Sequence, residues 1–206
     1  MASDLLGRTN HAFPKVWYSL RLPRNSIAED SSVSTIRGAI ESGTVIDISS
    51  SPAFWGGMAR GTDALIMVRG GTDIERAPHE LLACELVQAH LVQTLSAIGR
   101  QWIDIYFLQV RGDLMDCQID GALLALENAR QEGHIRHLGI ECVGDSIEIQ
   151  RLWQRRDAFE VALLNSAEPG LISMARERRV GIVTTFPSEY TVLQPLVAAP
   201  AAGASR

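Results

Sequence analysis

The sequence predicts an α/β protein, an incomplete TIM-type (β/α) barrel with about seven parallel strands. Seven short runs rich in apolar and β-branched residues recur along the chain, separated by segments with helical spacing. Strands that are apolar throughout and joined by helices pair in parallel. No glycine-rich GxGxxG or GxxxxGK loop follows a strand, which disfavours an open nucleotide-binding sheet. The predicted strands cover residues 16–22, 44–49, 64–70, 103–110, 137–143, 159–165 and 180–186.

The helices between these strands have recognisable ends. Proline or aspartate stands at the start of each of the three clearest helices, and glycine closes two of them, as expected for helix caps. The first runs from Pro78 to Gly99, the second from Asp116 to Gly133, and the third begins at Asp145 with Glu148 three residues on.

The chain of 206 residues is long enough for one sizeable core, so we expect a single domain. Residues 15–197 are assigned to the barrel and residues 1–14 to an N-terminal extension. Residues 198–206 are rich in alanine, and we expect them to form a disordered tail.

The composition indicates which kinds of binding partner the protein has and in which compartment it works. The formal net charge is -5 and no basic cluster relieves it, so the sequence predicts no binding to nucleic acid or to a membrane surface. No apolar run approaches about 18 residues, the length of a membrane span. The 3 cysteines are odd in number and lack metal-ligand spacing, which fits a reducing cytoplasm. We therefore expect a cytoplasmic protein that acts on a small molecule.

Polar residues end several of the apolar strands. Gln109 and Arg111 follow the most apolar run of the chain, "IDIYFL". Active sites of (β/α) barrels are built at the carboxyl ends of the strands, so these residues are predicted to face a pocket. For any one of them, the alternative is a strand end that merely meets water. By position, the same mouth should receive Asp47, Arg69, Glu141, Asn165 and Thr185.

Several longer motifs resemble those of aldo-keto reductases. The runs "WIDIYFLQV", "ALENARQEGHIRHLGIECV" and "LISMARERRVGIVTTFP" are similar, in order and spacing, to the middle and later parts of that family. The segment "RGAIESGTVIDIS" similarly resembles an earlier helix and strand of the family. The match spans roughly residues 36–188. The resemblance implies an aldo-keto-reductase-like barrel. Members of that family transfer a hydride from NADPH to a carbonyl group, using an aspartate, a tyrosine, a lysine and a histidine.

The resemblance implies a degenerate catalytic tetrad. The aspartate is kept as Asp47. Phe54 or Trp55 lies nearest to the tyrosine position, and neither can donate a phenolic proton. The lysine falls on Arg69, whose guanidinium stays protonated. The histidine falls on Gln109.

The cofactor positions differ as well. The pair that grips the nicotinamide carboxamide falls on Glu141 and Cys142, a strand-six glutamine falls near Leu163, and the stacking aromatic falls on Thr185. In place of an eighth strand the chain reads "QPLVAAPAAGASR". The short "MARGTD" also suggests that the helix between strands two and three is missing. We therefore predict no cofactor.

Two classes of function follow. The favoured one is a cofactor-independent acid/base enzyme, an isomerase, cyclase, dehydratase or lyase acting on a small oxygen-rich metabolite of bacterial specialised metabolism. A non-catalytic regulatory or scaffolding subunit is the alternative, and a residual NAD(P)H-dependent oxidoreductase is the third possibility. The predicted catalytic residues are Asp47 and Glu141; the predicted substrate-binding residues are Arg69, Gln109, Arg111, Phe54, Trp55, Asn165 and Thr185.

Other candidate residues are set aside. His134 and His137 could ligate a metal, but they lie at the amino end of their strand, away from the predicted mouth, so no metal is predicted. Cys142 follows Glu141 directly and should face the opposite side of the strand. Finally, seven strands leave an open barrel edge, which soluble proteins normally cover. Residues 1–14, the tail after Leu196 or a second chain could close it, and a homodimer or a partner chain is the favoured arrangement.

Overall fold

Seven parallel strands curl into a barrel in the computed structural model, which describes residues 3–19, 36–111, 113–144, 146–164, 169–185 and 191–196. This confirms the predicted α/β class and all seven predicted strands. An additional hairpin precedes the barrel. The strands are β1 (Ser3–Leu5), β2 (Ala12–Pro14), β3 (Trp17–Ser19), β4 (Val45–Asp47), β5 (Leu65–Gly70), β6 (Ile103–Arg111), β7 (Ile135–Val143), β8 (Val161–Leu164), β9 (Gly181–Thr185) and β10 (Thr191–Leu196).

Strand β10 closes the barrel. It pairs antiparallel with β9 on one side and with β3 on the other, so that Leu193 lies opposite both Thr185 and Trp17. The expectation that the chain lacks an eighth strand is therefore wrong, although the strand found there is antiparallel to its neighbours. The sequence did not reveal β10 because proline is unfavourable inside a sheet, so a short segment that contains Pro195 was not predicted as a strand. An open edge no longer argues for a homodimer, which remains an untested prediction. Residues 198–206 lie outside the described residues.

The helices surround the barrel. The predicted helix from Pro78 begins after His79, whose ring accepts a hydrogen bond from the Leu82 amide, and ends at Gly99 with φ 64°. The helices are α1 (residues 36–41), α2 (Pro52–Ala59), α3 (Glu80–Ile98), α4 (Asp116–Gln131), α5 (Ser146–Arg155) and α6 (Pro169–Glu177), with 3₁₀ turns at Gly7–Thr9 and Thr72–Arg76.

Helix α2 corrects the expectation that strands two and three lack a helix between them. It begins with Pro52 in its first turn, where the missing amide hydrogen costs nothing. Gly56 allows it to approach α3 closely, since a Cβ there would lie 2.6 Å from the Ile98 side chain. This eight-residue helix has two glycines and a weak apolar period, so only its packing reveals it.

Contrary to the expectation that no apolar stretch approaches the length of a membrane span, helix α3 is long and apolar enough to cross a membrane, judged by length and composition alone. Its inner side contributes Ala83, Val87, Leu91 and Ile98 to the core between helices and barrel. The length of this apolar helix is therefore explained by its place in the outer layer of a barrel.

Side chains alternate between two cores. Those that point outward from the strands, such as Val68, Tyr106 and Ile140, pack under the helices. Those that point inward, such as Met67 and Phe107, fill the barrel. The Phe107 ring occupies the space beside Gly139, where a Cβ would lie 2.5 Å from it. In the part of the chain that the structure describes, the interior is therefore a packed core, as in other TIM-type barrels.

The N-terminal extension covers the amino ends of the strands. Strands β1 and β2 form a two-stranded sheet, and the 3₁₀ turn between them carries Arg8. The Arg8 guanidinium donates to the Phe159 carbonyl at 2.7 Å and pairs with Asp157 at 3.0 Å. Leu6 and Phe13 join the inner core. The hairpin thus forms the floor of the barrel.

Candidate active site

Three charged residues meet at the carboxyl ends of the strands. Asp47 ends β4, Arg69 lies near the end of β5, and Glu141 lies near the end of β7. Nη2 of Arg69 lies 2.9 Å from Oδ2 of Asp47, and Nη1 lies 3.2 Å from Oε1 of Glu141. Asp47 and Glu141 are 1% and 2% exposed. The prediction that these three strand ends share one site therefore agrees with the geometry.

Asp47 has partners on both of its oxygens. Oδ1 accepts hydrogen bonds from the backbone amide and the hydroxyl of Ser49. The hydrogen bond from the amide nitrogen is 3.0 Å long. Oδ2 accepts from the Ser19 hydroxyl at 3.1 Å and from Arg69. A carboxylate has about four acceptor positions, so this set leaves none free for a substrate proton.

Ser49 and Ser19 were not predicted as site residues. Ser49 also accepts a 2.7 Å hydrogen bond through its hydroxyl from the Arg69 amide, which ties β4 to β5. The spacing of Asp47 and Ser49 is a signal that sequence reasoning could have used, because aspartate side chains often bond the backbone two residues on. Ser19 carries no such local signal, since only barrel pairing brings β3 beside β4.

Glu141 is less completely satisfied. Its Oε1 accepts the Arg69 bond, whereas Oε2 is buried and has no hydrogen-bond partner among the described residues. Nε of Arg69 is in the same condition. A buried carboxylate oxygen without a donor is costly, so it marks a place where a ligand or water can contribute a hydrogen bond.

The three residues carry a net negative charge. Burial opposes the charge on Arg69, but the neighbouring charges of Asp47 and Glu141 outweigh it, and the pKa of Arg69 is raised. The guanidinium therefore stays cationic. Its side chain is 26% exposed, against 1% and 3% for the side chains of its two partners, so it is the part of the cluster that solvent and solutes meet first.

Gln109 and Arg111 lie near the end of β6, where both were predicted to face a pocket. Gln109 pairs in register with Glu141 on the neighbouring strand, and Arg111 forms an exposed 3.0 Å ion pair with Glu75. Both line a small cleft of about 40 Å³, room for roughly one water. Its other lining residues are Gly71, Thr72, Glu75, Leu114 and Val143.

Other predicted substrate contacts fare differently. Trp55 is fully buried in the core that packs under the helices, so the structure does not place it in the predicted pocket. Phe54 is 47% exposed and packs edge-on against the Trp55 ring. The backbone of Thr185 ends β9. Asn165 lies outside the described residues.

Cys142 faces away from the site, as predicted. It packs in the outer core, and burial, with a smaller contribution from Glu141, raises the pKa of its thiol to about 12. Within the described residues, no three His, Cys, Asp or Glu side chains are arranged to hold a metal ion.

The fold and the position of the site define a (β/α) barrel protein with its charged cluster at the usual mouth. No family model and no curated protein matches the sequence closely. Solved aldo-keto reductases, however, share the fold. The holo form of a Bacillus halodurans aldo-keto reductase is 17% identical with a TM-score of 0.70, covering 89% of this chain and 65% of that one.

Two further structures agree. A Brucella melitensis aldo/keto reductase is 14% identical with a TM-score of 0.65, covering 88% of this chain and 71% of that one. A Klebsiella pneumoniae aldo-keto reductase in complex with NADPH is 17% identical with a TM-score of 0.67, covering 88% of this chain and 67% of that one. The protein thus has an aldo-keto-reductase fold, and it spans about two thirds of the length of these proteins.

Proposed function

We propose that the protein is an acid/base enzyme that works on an aldo-keto-reductase-like barrel without a nicotinamide cofactor, with Glu141 as the group that moves the proton. Its substrate is a small oxygen-rich metabolite. The observation that carries this proposal is the buried, unpartnered Oε2 of Glu141 at the carboxyl ends of the strands. A buried carboxylate with one free oxygen is suited to accept a proton and return it.

Arg69 and Asp47 support Glu141 in different ways. The Arg69 guanidinium is partly exposed, so a substrate oxygen meets it first and its positive charge stabilises the negative charge that develops when a proton leaves. Asp47 is saturated with hydrogen bonds, which suits a residue that positions Arg69 rather than a general base. Both predicted catalytic carboxylates thus remain in the proposal, but only Glu141 transfers the proton.

The residues present argue against a nicotinamide cofactor. The resemblance puts Glu141 where a cofactor amide would be gripped, and Glu141 is a buried carboxylate already paired with Arg69. A carboxylate accepts hydrogen bonds but cannot donate one to a carboxamide oxygen. We expect no micromolar binding of NADPH or NADH when either is titrated against the intrinsic fluorescence of the protein. Such binding would favour a residual oxidoreductase instead.

The simplest reaction to test is proton abstraction beside a carbonyl group. In D₂O, the Glu141 carboxylate removes a proton from the carbon next to the carbonyl of hydroxyacetone or dihydroxyacetone, and the resulting enediolate takes up deuterium from the exchanged acid. Proton NMR follows the loss of the signal from the hydrogens on that carbon as deuterium replaces them. We expect exchange catalysed by the wild-type protein and an about 100-fold or greater loss in Glu141→Gln, the usual scale for a general base.

Glu132→Gln is the matched control, because the Glu132 side chain is 67% exposed and lies outside the site. It should exchange both ketones at the wild-type rate. A Glu141→Gln protein that is as active as the control would exclude the proposed role of Glu141. Absence of exchange by every variant would favour the non-catalytic subunit, for which the closed Asp47 network is equally suitable.

A further inference from the structure

A second polar cluster lies at the opposite end of the barrel. Nδ1 of His11, in the connection between β1 and β2, lies 2.7 Å from Nε2 of His137, the inward-facing residue near the start of β7. Nδ1 of His137 lies 3.3 Å from both carboxylate oxygens of Glu160. His137 is only 5% exposed. Side chains 126 residues apart in sequence therefore form one chain of hydrogen bonds.

The direction of these hydrogen bonds follows from Glu160. Although burial opposes its ionisation, the hydrogen bonds from His137 and the Leu138 amide lower the pKa of this carboxyl. An ionised carboxylate only accepts, so Nδ1 of His137 carries a hydrogen. In the neutral form of both imidazole rings, Nε2 of His137 then has a lone pair. Nδ1 of His11 must then be the donor, because Nε2 of His137 accepts. This leaves Nε2 of a neutral His11 as an acceptor, fixed by a relay of two residues behind it.

The relay borders a cavity of about 190 Å³, which we call the lower cavity. That volume equals roughly six water molecules and is smaller than a drug-sized pocket, so it suits a small metabolite. Phe13 and Leu65 provide an apolar side. The lower cavity is lined by His11, Ala12, Phe13, Leu65, Asp104, Arg136 and His137.

Arg136 supplies a positive charge at the same cavity. Its Nη1 pairs with Oδ1 of Asp104 at 2.8 Å, and its guanidinium stacks over the Trp102 ring at 4.8 Å. Oδ2 of Asp104 is taken by the Ile66 amide. An arginine has five N–H donors, and the ion pair with Asp104 uses Nη1, so further donors remain for a ligand. The stacking on Trp102 also holds the guanidinium plane in place.

We propose that the lower cavity is a second ligand site, which binds a small organic acid that also carries a hydroxyl group. The acid's carboxylate is held by Arg136, its hydroxyl donates to Nε2 of His11, and its carbon skeleton packs on Phe13 and Leu65. Neither Arg136 nor His11 is part of the site at the carboxyl ends of the strands. The Phe107 ring fills the space beside Gly139, which lies between His137 and Glu141 on β7, and so separates the two ends.

Ligand-observed NMR with 4-hydroxybenzoate and benzoate tests the site, since the two acids differ only in the hydroxyl group. We expect 4-hydroxybenzoate to bind about tenfold more tightly, the usual scale of one good hydrogen bond. His11→Ala should remove that preference while benzoate still binds, and Arg136→Gln should weaken both by about tenfold or more. His134→Ala, which changes a partly exposed histidine outside the lower cavity, should bind like wild type.

Equal affinity for the two acids, or an undiminished preference in His11→Ala, would overturn the proposal, as would lack of binding at millimolar concentration. Glu141→Gln should leave the binding unchanged, which separates this site from the mouth. Long-range ¹⁵N–¹H correlation spectra check the relay without any ligand: both His11 and His137 should carry their hydrogen on Nδ1. A hydrogen on Nε2 of either ring would contradict the derived direction even if a variant folds poorly.

Discussion

The carboxylate of Asp47 and the guanidinium of Arg69 form a 2.9 Å ion pair that joins the carboxyl ends of two adjacent parallel strands. Asp47 is 1% exposed, so its charge depends on this pair and on the serines around it. The pair also fixes where Arg69 can reach, and through Arg69 the orientation of Glu141. The site is therefore organised around one cation shared by two acids.

Replacing Asp47 with asparagine should destabilise the protein. The amide keeps the shape of the side chain but loses the charge that compensates Arg69, and one of its ends can no longer accept hydrogen bonds. We expect a loss of about 1–3 kcal/mol, which lowers the melting temperature by roughly 2–4 °C per kcal/mol in a chain of this size. Thermal unfolding followed by circular dichroism measures it. Asp73→Asn, in an exposed pair with Arg76, should change little, and equal melting temperatures for the two variants would contradict the argument.

Replacing Gly139 with alanine should disturb the packed centre of the barrel. A Cβ at this position would lie 2.5 Å from the Phe107 ring, so the ring must move within a filled interior. Overpacking of this kind costs about 1–3 kcal/mol. Gly57→Ala is a fitting control, because the space around Gly57 is open and alanine favours the helix by about 1 kcal/mol. The midpoint of chemical denaturation should therefore fall for Gly139→Ala and rise for Gly57→Ala.

Glu160 should make part of the stability depend on pH. Its pKa is lowered in the folded protein by the hydrogen bonds from His137 and Leu138, which outweigh the opposing effect of burial. A lowered carboxyl pKa contributes stability above the unfolded value, near 4.5, and that contribution disappears as the pH falls through the folded value. The stability difference between wild type and Glu160→Gln, measured by urea denaturation from pH 6 downward, should shrink below pH 4.5. A difference that stays constant would argue against this linkage.

Removing residues 191–206 should make the protein associate. The truncation deletes β10 and exposes hydrogen-bonding edges on β3 and β9 that pair with other chains. Light scattering after size-exclusion chromatography should detect dimers or larger species for this variant. A matched truncation that removes only 198–206 keeps β10 and should behave as the full chain does. A full chain that is dimeric together with a monomeric longer truncation would contradict this prediction. It would indicate that the expected homodimer forms through β10.

The sequence by itself determined the barrel strands and the mouth residues that end them. The seven parallel strands could be predicted because buried parallel strands are continuous apolar runs, a pattern visible locally. Asp47, Arg69 and Glu141 could be predicted to meet because strand ends of a barrel share one edge, whatever their distance in sequence.

Only the tertiary structure decided which partners those residues have. Helix α2, the closing strand β10 and the burial of Trp55 depend on packing against distant elements, which no local pattern encodes. The saturation of Asp47 by Ser19 and the contact between His11 and His137 have the same origin. Local periodicity fixes which face of a strand or helix is apolar, whereas the free energy that selects a hydrogen-bond partner comes from groups that meet only when the barrel closes.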